Sequence, residues 1–143
     1  MQLVLDTNVW IDWLVFDDPA IAPLKEAHRK AVVQIVMDQA CLAELREVLG
    51  YPEFRLTEAQ RQAALAEVDR CCSRNEPAQG IVSSTLPRCD DPDDQKFLEL
   101  ARDARTDWLI TRDKALLRLG KKKLMAAGFR VGTPQQWMDA ASG

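Results

Sequence analysis

Leu3-Val4-Leu5-Asp6-Thr7-Asn8 is an apolar run that ends on an acid and turns at once into helical sequence. A short apolar run next to a helical pattern reads as a strand feeding a helix, the unit of a parallel α/β sheet. An acid at the end of a parallel strand lies at the carboxyl edge of the sheet, where open α/β folds keep their ligand sites. The rest of the chain repeats this arrangement. Glu44 sits inside Leu42-Ala43-Glu44-Leu45, Asp94 opens a helical pattern, and Asp113 follows Leu109-Ile110-Thr111. Carboxylates gathered at one edge repel one another unless a cation lies between them, and hard oxygen ligands suit Mg²⁺ or Mn²⁺.

The alternation of short apolar runs and helical patterns predicts a parallel sheet of about five strands. Leu3 to Leu5, Val33 to Met37, Ile81 to Ser83, Trp108 to Ile110 and Phe129 to Val131 are the expected strands. Helices are expected from Thr7 to Phe16, from about Ala20 to Lys30, and from Asp38, as cap, through about Leu49, where Gly50 and Pro52 end it. Thr57-Glu58-Ala59-Gln60 fits a capping box for a helix reaching about Cys72. Asp91-Pro92-Asp93-Asp94 gives a cap, a proline at the first helical position and acids in the first turn. Short helices near Lys114 to Leu119 and from Thr133-Pro134 complete the pattern. With 143 residues and no linker or repeat, residues 1–143 read as a single domain.

Composition removes several classes of function. The chain is 47% hydrophobic and 29% charged, ordinary for a globular protein. No apolar run reaches the roughly 20 residues of a membrane span, and the N-terminus lacks the pattern of a secretory signal, so no membrane association and a cytoplasmic location are expected. Cys41, Cys71, Cys72 and Cys89 have no C-x-x-C spacing, and His28 is the only histidine. No zinc site can be written from them, and a single histidine far from other candidates argues against a Ser-His-Asp hydrolase; the Cys71-Cys72 pair is expected to be half-buried reduced thiols. The net charge of −3 argues against a generally basic nucleic-acid binder. Yet Arg112, Lys114, Arg118, Lys121, Lys122 and Lys123 set six bases against Asp113 alone. That run is either a solvated face or a phosphate-contacting rim.

Each acid also has an ordinary explanation. Asp6 and Asp113 could cap the helices that follow them, Asp94 could meet a helix dipole, and Glu44 could face solvent. Their joint placement is harder to explain that way. Asp6 and Asp113 follow strands, Asp94 heads a helix leading into another strand, and Glu44 lies about a turn and a half into the helix after the second strand. All four fall at one edge.

These segments resemble the PIN domain. Leu3 to Asn8 is similar to that family's opening, and Glu44-Leu45-Arg46-Glu47-Val48-Leu49 to its internal glutamate helix. Asp91-Pro92-Asp93-Asp94-Gln95-Lys96-Phe97-Leu98, followed by Ala101, resembles its third block, and Leu109-Ile110-Thr111-Arg112-Asp113 its fourth. Thr133-Pro134 followed by Trp137 is similar to the closing segment. The resemblance covers nearly the whole chain and points to the VapC-like ribonucleases of toxin–antitoxin systems. It implies a three-layer α/β/α fold and a metal-dependent ribonuclease. Asp6, Glu44, Asp94 and Asp113 would be its metal-site acids, and Thr7, Asn8, Asp91 and Thr111 its supporting groups. It also implies Mg²⁺ or Mn²⁺, an RNA substrate, an antitoxin partner and a homodimer. Asp94 is chosen among the crowded acids for its seven-residue spacing to Ala101.

Two other readings stay open. A non-catalytic PIN-like scaffold could hold RNA or a protein with its basic run. A phosphotransfer protein would need a second Asp two residues after the first, where Asn8 stands, or an acidic pair after the first strand. Finally, Val9, Trp10, Ile11, Trp13, Leu14, Val15 and Phe16 surround most of one helix with apolar groups. Either the next helix covers it, or a tryptophan anchors an interface.

Overall fold

Strand β1 (Gln2–Leu5) has three successive buried residues, Leu3, Val4 and Leu5. Because neighbouring strand residues point to opposite faces, a strand buried this way is covered on both sides. The computed structural model describes residues 1–74, 95–122 and 128–142. Within them β1, β2 (Gln34–Met37), β3 (Cys72–Arg74), β4 (Trp108–Ile110) and β5 (Arg130–Gly132) form one sheet in the order β3-β2-β1-β4-β5. Every pairing is parallel. The fold is the expected five-stranded three-layer α/β/α arrangement.

The order decides where a site can lie. The chain builds outward from β1 to β2 and β3, then returns to the other side of β1 for β4 and β5. The strand order therefore reverses between β1 and β4, and the connections leaving these two strands diverge to open a crevice at their carboxyl ends. Leu5 is in register with Ile110, and the Asp6 backbone N–H donates to the Ile110 carbonyl at 2.9 Å. Asp6 and Thr111 are thus the first residues beyond the paired part of the two central strands.

Helices α1 (Thr7–Ile11), α2 (Ala22–Arg29), α3 (Gln39–Leu49), α4 (Glu58–Cys71), α5 (Gln95–Asp103), α6 (Lys114–Lys122) and α7 (Pro134–Ser142) surround the sheet. Helix α5 lies against β1, β4 and α3, while α7 lies on β4 and β5 and meets α2. The caps follow the sequence. Asp38 accepts the Cys41 N–H at the start of α3, and Thr57 with Gln60 forms the reciprocal capping box of α4. Thr133 and Gln136 exchange the same pair of bonds at α7. Among the described residues, no helix is long and apolar enough to cross a membrane.

Ile81 to Ser83 and the Asp91 cap lie outside the described residues. The edge strand seen beside β2 is Cys72–Arg74, which leaves α4 without an intervening loop. The expected helix from Thr7 to Phe16 changes at Asp12 from an α-turn to a π-turn that ends at Asp17, whose φ is +46°. The widened turn re-aims its side chains. Trp10 and Trp13 are both buried in their own chain, at 1% and 6% exposure, with Trp13 edge-on to His28 of α2. Neither is available as an interface anchor. Phe16 is the residue left outside, 61% exposed and against the Phe54 ring. Cys41, Cys71 and Cys72 are free thiols, as expected.

Candidate active site at the switch point of the sheet

The crevice at the ends of β1 and β4 holds a connected set of polar side chains. Asp6, only 3% exposed, accepts a 2.6 Å hydrogen bond on Oδ2 from the Thr111 hydroxyl. The same hydroxyl oxygen accepts the Asp113 backbone N–H at 3.0 Å. One wholly buried threonine therefore joins the acid after β1 to the acid after β4. On the other side of Asp6, the Thr7 hydroxyl donates to Glu44 Oε2, and Lys96 Nζ stands 3.3 Å from Glu44 Oε1. Helices α1, α3 and α5 and the loop after β4 each contribute to this set.

Asp6 occupies the cap position of α1 but makes no side-chain capping bond; its carboxylate points across to Thr111 instead. Glu44 is held between Thr7 and Lys96 and is not a freely solvated helix residue. Asp113 does cap: its Oδ1 accepts the N–H groups of Ala115 and Leu116 at 2.8 and 3.2 Å, which fixes the start of α6. The structure thus brings Asp6, Thr7, Glu44, Thr111 and Asp113 into one neighbourhood. Asn8 is exposed and takes no part in these bonds. Asp91 and Asp94 lie outside the described residues.

Burial pushes the Asp6 carboxyl above its usual range, and the nearby Glu44 and Asp113 push it further. The bond from Thr111 and one from the Thr7 backbone only partly oppose this. Asp6 is therefore a desolvated carboxylate under like-charge repulsion, a condition that a cation relieves. The donors are all oxygens, which fits a hard divalent cation. Among the described residues, no three acid, histidine or cysteine side chains are grouped closely enough to hold an ion on their own. The donor chemistry fits such an ion, and a complete set of ligands needs more than these residues supply.

One participant was not anticipated. Lys96 reaches Glu44 from α5, a pairing 52 residues apart that no local pattern announces. Arg112, from the run read as either a solvated face or a phosphate rim, places its guanidinium 2.9 Å from Asp12 and 3.4 Å from Asp18. Here a signal existed, because Asp12 is a charge interrupting an otherwise apolar helix and called for a partner. Lys114 and Arg118 are exposed on α6, to which Lys121 and Lys122 also belong; Lys123 lies outside the described residues. Cys41, near this site, is no nucleophile: burial and the neighbouring Asp38 drive its thiol far above the usual range.

A sequence model described as the PIN domain matches residues 2–115, most of the chain and all of the polar set above. No curated protein matches the chain at a significant level.

Proposed function

The chain belongs to the PIN-domain family, whose members are typically nucleases, and from that membership we propose that it is a divalent-metal-dependent ribonuclease, the toxin of a toxin–antitoxin pair. The observation that carries the chemistry is the Asp6 carboxylate, buried at the switch point and pressed by Glu44 and Asp113. Like charges buried side by side destabilise one another, and a bound cation would relieve that repulsion.

Asp6 and Asp113 are the proposed direct ligands of Mg²⁺ or Mn²⁺, with Glu44 and Asp94 completing the shell or holding its waters. When bound there, such an ion would supply a water activated near neutral pH and charge to offset that developing on the phosphate. The chain's own residues fix the geometry. Thr111 orients Asp6 and restrains the loop carrying Asp113, while Thr7 orients Glu44. Asp113 is further restrained by capping α6. Asn8, Thr7, Asp91 and Thr111 are supporting groups in this reading, and the bases from Arg112 to Lys123 give RNA affinity. Arg112 would contact RNA while paired through Nη1 with Asp12 and Asp18.

An antitoxin segment is the proposed occupant of an open cleft of about 550 Å³, lined by Leu14, Val15, Leu56, Ala63 and Ala64 among others, none of which belongs to the polar set around Asp6. The homodimer and the cytoplasmic location belong to the same proposal.

The test is cleavage of a mixed RNA panel with Mg²⁺ or Mn²⁺, with and without chelator. Asp6→Asn should fold yet lose several orders of magnitude in rate, a loss of about 4 kcal/mol or more of transition-state stabilisation. Chelator-resistant cleavage, or a fully active Asp6→Asn protein, overturns the metal mechanism. RNA binding without any cleavage favours the non-catalytic scaffold instead.

A further inference from the structure

Lys96 is a cation built into an acidic site. Its ammonium lies 3.3 Å from Glu44 Oε1 and 5.2 Å from the centre of the Phe97 ring. The side chains of Lys96 and Glu44 keep 22% and 25% exposure, so the pair is half-sheltered and still reaches solvent. Phe97 is buried, and with Glu44 it fixes the ammonium in one place. Fold stability does not explain the arrangement well, because solvent-reaching ion pairs contribute about 0–1 kcal/mol.

Charge gives a better reason. Asp6, Glu44 and Asp113 repel any phosphate approaching the crevice. Arg112, the basic residue beside Asp113, is turned to Asp12 and Asp18. Among the described residues, Lys96 is the cation that bonds directly to an acid of this cluster. A lysine ammonium is a compact point charge with three donors, so it can bridge more than one anion at a time.

We propose that Lys96 is a substrate-binding residue that contacts an RNA phosphate at the mouth of the site, held in position by Glu44 and Phe97. Glu44 is then bifunctional, orienting the lysine with Oε1 and accepting Thr7 with Oε2. This rests on the ribonuclease reading, since it names how that substrate would be held.

The decisive measurement is the salt dependence of binding to a labelled single-stranded RNA in chelator, where no metal-dependent cleavage interferes. Lys96→Gln should weaken binding severalfold and flatten the log–log salt slope by about 0.7, the value for one lost phosphate contact. Lys96→Arg keeps the charge and should restore the slope. Glu44→Gln should tighten binding in the wild-type background and do less in Lys96→Gln. With Mg²⁺ added, kcat/KM for the same RNA should fall about tenfold or more in Lys96→Gln, as expected for a lost charge-assisted bond. A folded Lys96→Gln protein with the wild-type salt slope overturns the proposal and leaves Lys96 as the ion-pair partner of Glu44. If the wild type binds RNA with the expected slope but cuts nothing in Mg²⁺ or Mn²⁺, the nuclease reading fails while the Lys96 contact survives. A wild type that does not bind RNA overturns both.

Discussion

Replacing Thr111 with Val tests the centre of the site without changing its volume. The Thr111 hydroxyl is wholly buried, donates to the Asp6 carboxylate at 2.6 Å and accepts the Asp113 N–H at 3.0 Å. A hydrogen bond to a charged group contributes about 1.5–3 kcal/mol and a neutral one about 0.5–1.5 kcal/mol. The two together are worth about 3 kcal/mol, and the extra buried methyl returns about 0.8 kcal/mol. Thr111→Val should therefore lose about 2 kcal/mol, lowering Tm by about 6–10 °C for a chain of this size. Thr111→Ser keeps both bonds and should lose only about 1 kcal/mol from the missing methyl.

The pH dependence adds a sign. Asp6 titrates above its ordinary 3.8 because of burial first and its acidic neighbours second, and the Thr111 bond opposes that rise. A carboxyl raised on folding costs nothing below its unfolded value, costs progressively more as pH climbs from there to its folded value, and costs the full amount above it. Removing the hydroxyl raises Asp6 further. The gap between wild type and Thr111→Val should thus be widest at neutral pH and narrow as pH falls toward 3.8. Urea denaturation at several pH values reads both effects. A Thr111→Val protein within about 0.5 kcal/mol of wild type at pH 7, or a gap that widens in acid, refutes the reasoning.

Other perturbations follow from the same geometry. Asp113→Asn keeps an efficient helix cap while removing one repelling charge, so it should raise apo stability and blunt the Tm increase that millimolar Mg²⁺ or Mn²⁺ gives the wild type; a wild-type melting curve indifferent to both ions would falsify the metal site. Replacing Lys121, Lys122 and Lys123 with Gln should flatten the salt dependence of RNA binding by about 0.7 per lost contact with turnover at saturation little changed; an unchanged slope makes that run a solvated face. Gly132→Ala puts a Cβ 2.7 Å from the Trp108 ring and 3.1 Å from Gln136 Oε1, so β5 or the tryptophan must shift at about 1–3 kcal/mol. Urea unfolding showing no loss would mean that this contact gives way freely.

What the sequence announced and what it concealed differ in range. Strands β1, β2 and β4 were legible because each carries three successive apolar residues buried on both faces, and β5 was found within a residue. Caps were legible because Asp38, Thr57 and Thr133 bond to residues three positions away. Strand β3 was hidden for the opposite reason. Cys72-Ser73-Arg74 has no β-branched or large apolar residue and is a strand because β2 offers it a partner at the edge of the sheet. A polar, charged edge is also how a sheet avoids pairing with other chains. The π-turn was hidden too, since apolar residues all round a helix say that it is buried without saying how it winds.

The same division runs through the site. Asp6, Thr111 and Asp113 could be placed from the sequence because parallel strands carry their following residues to a common edge. Their mutual bonds then depend on the β1–β4 register, which sets Leu5 beside Ile110 and so brings Thr111 to the Asp6 carboxylate. Glu44 and Lys96 have no such rule. They come from the middle of one helix and the start of another, and they meet only because α3 and α5 pack side by side on the sheet. An acid after a strand was therefore readable as a candidate ligand. A lysine on the first turn of a helix was not readable as anything until packing set it against a carboxylate, and at that point the acidic site acquired a cation suited to drawing in the phosphate that its acids repel.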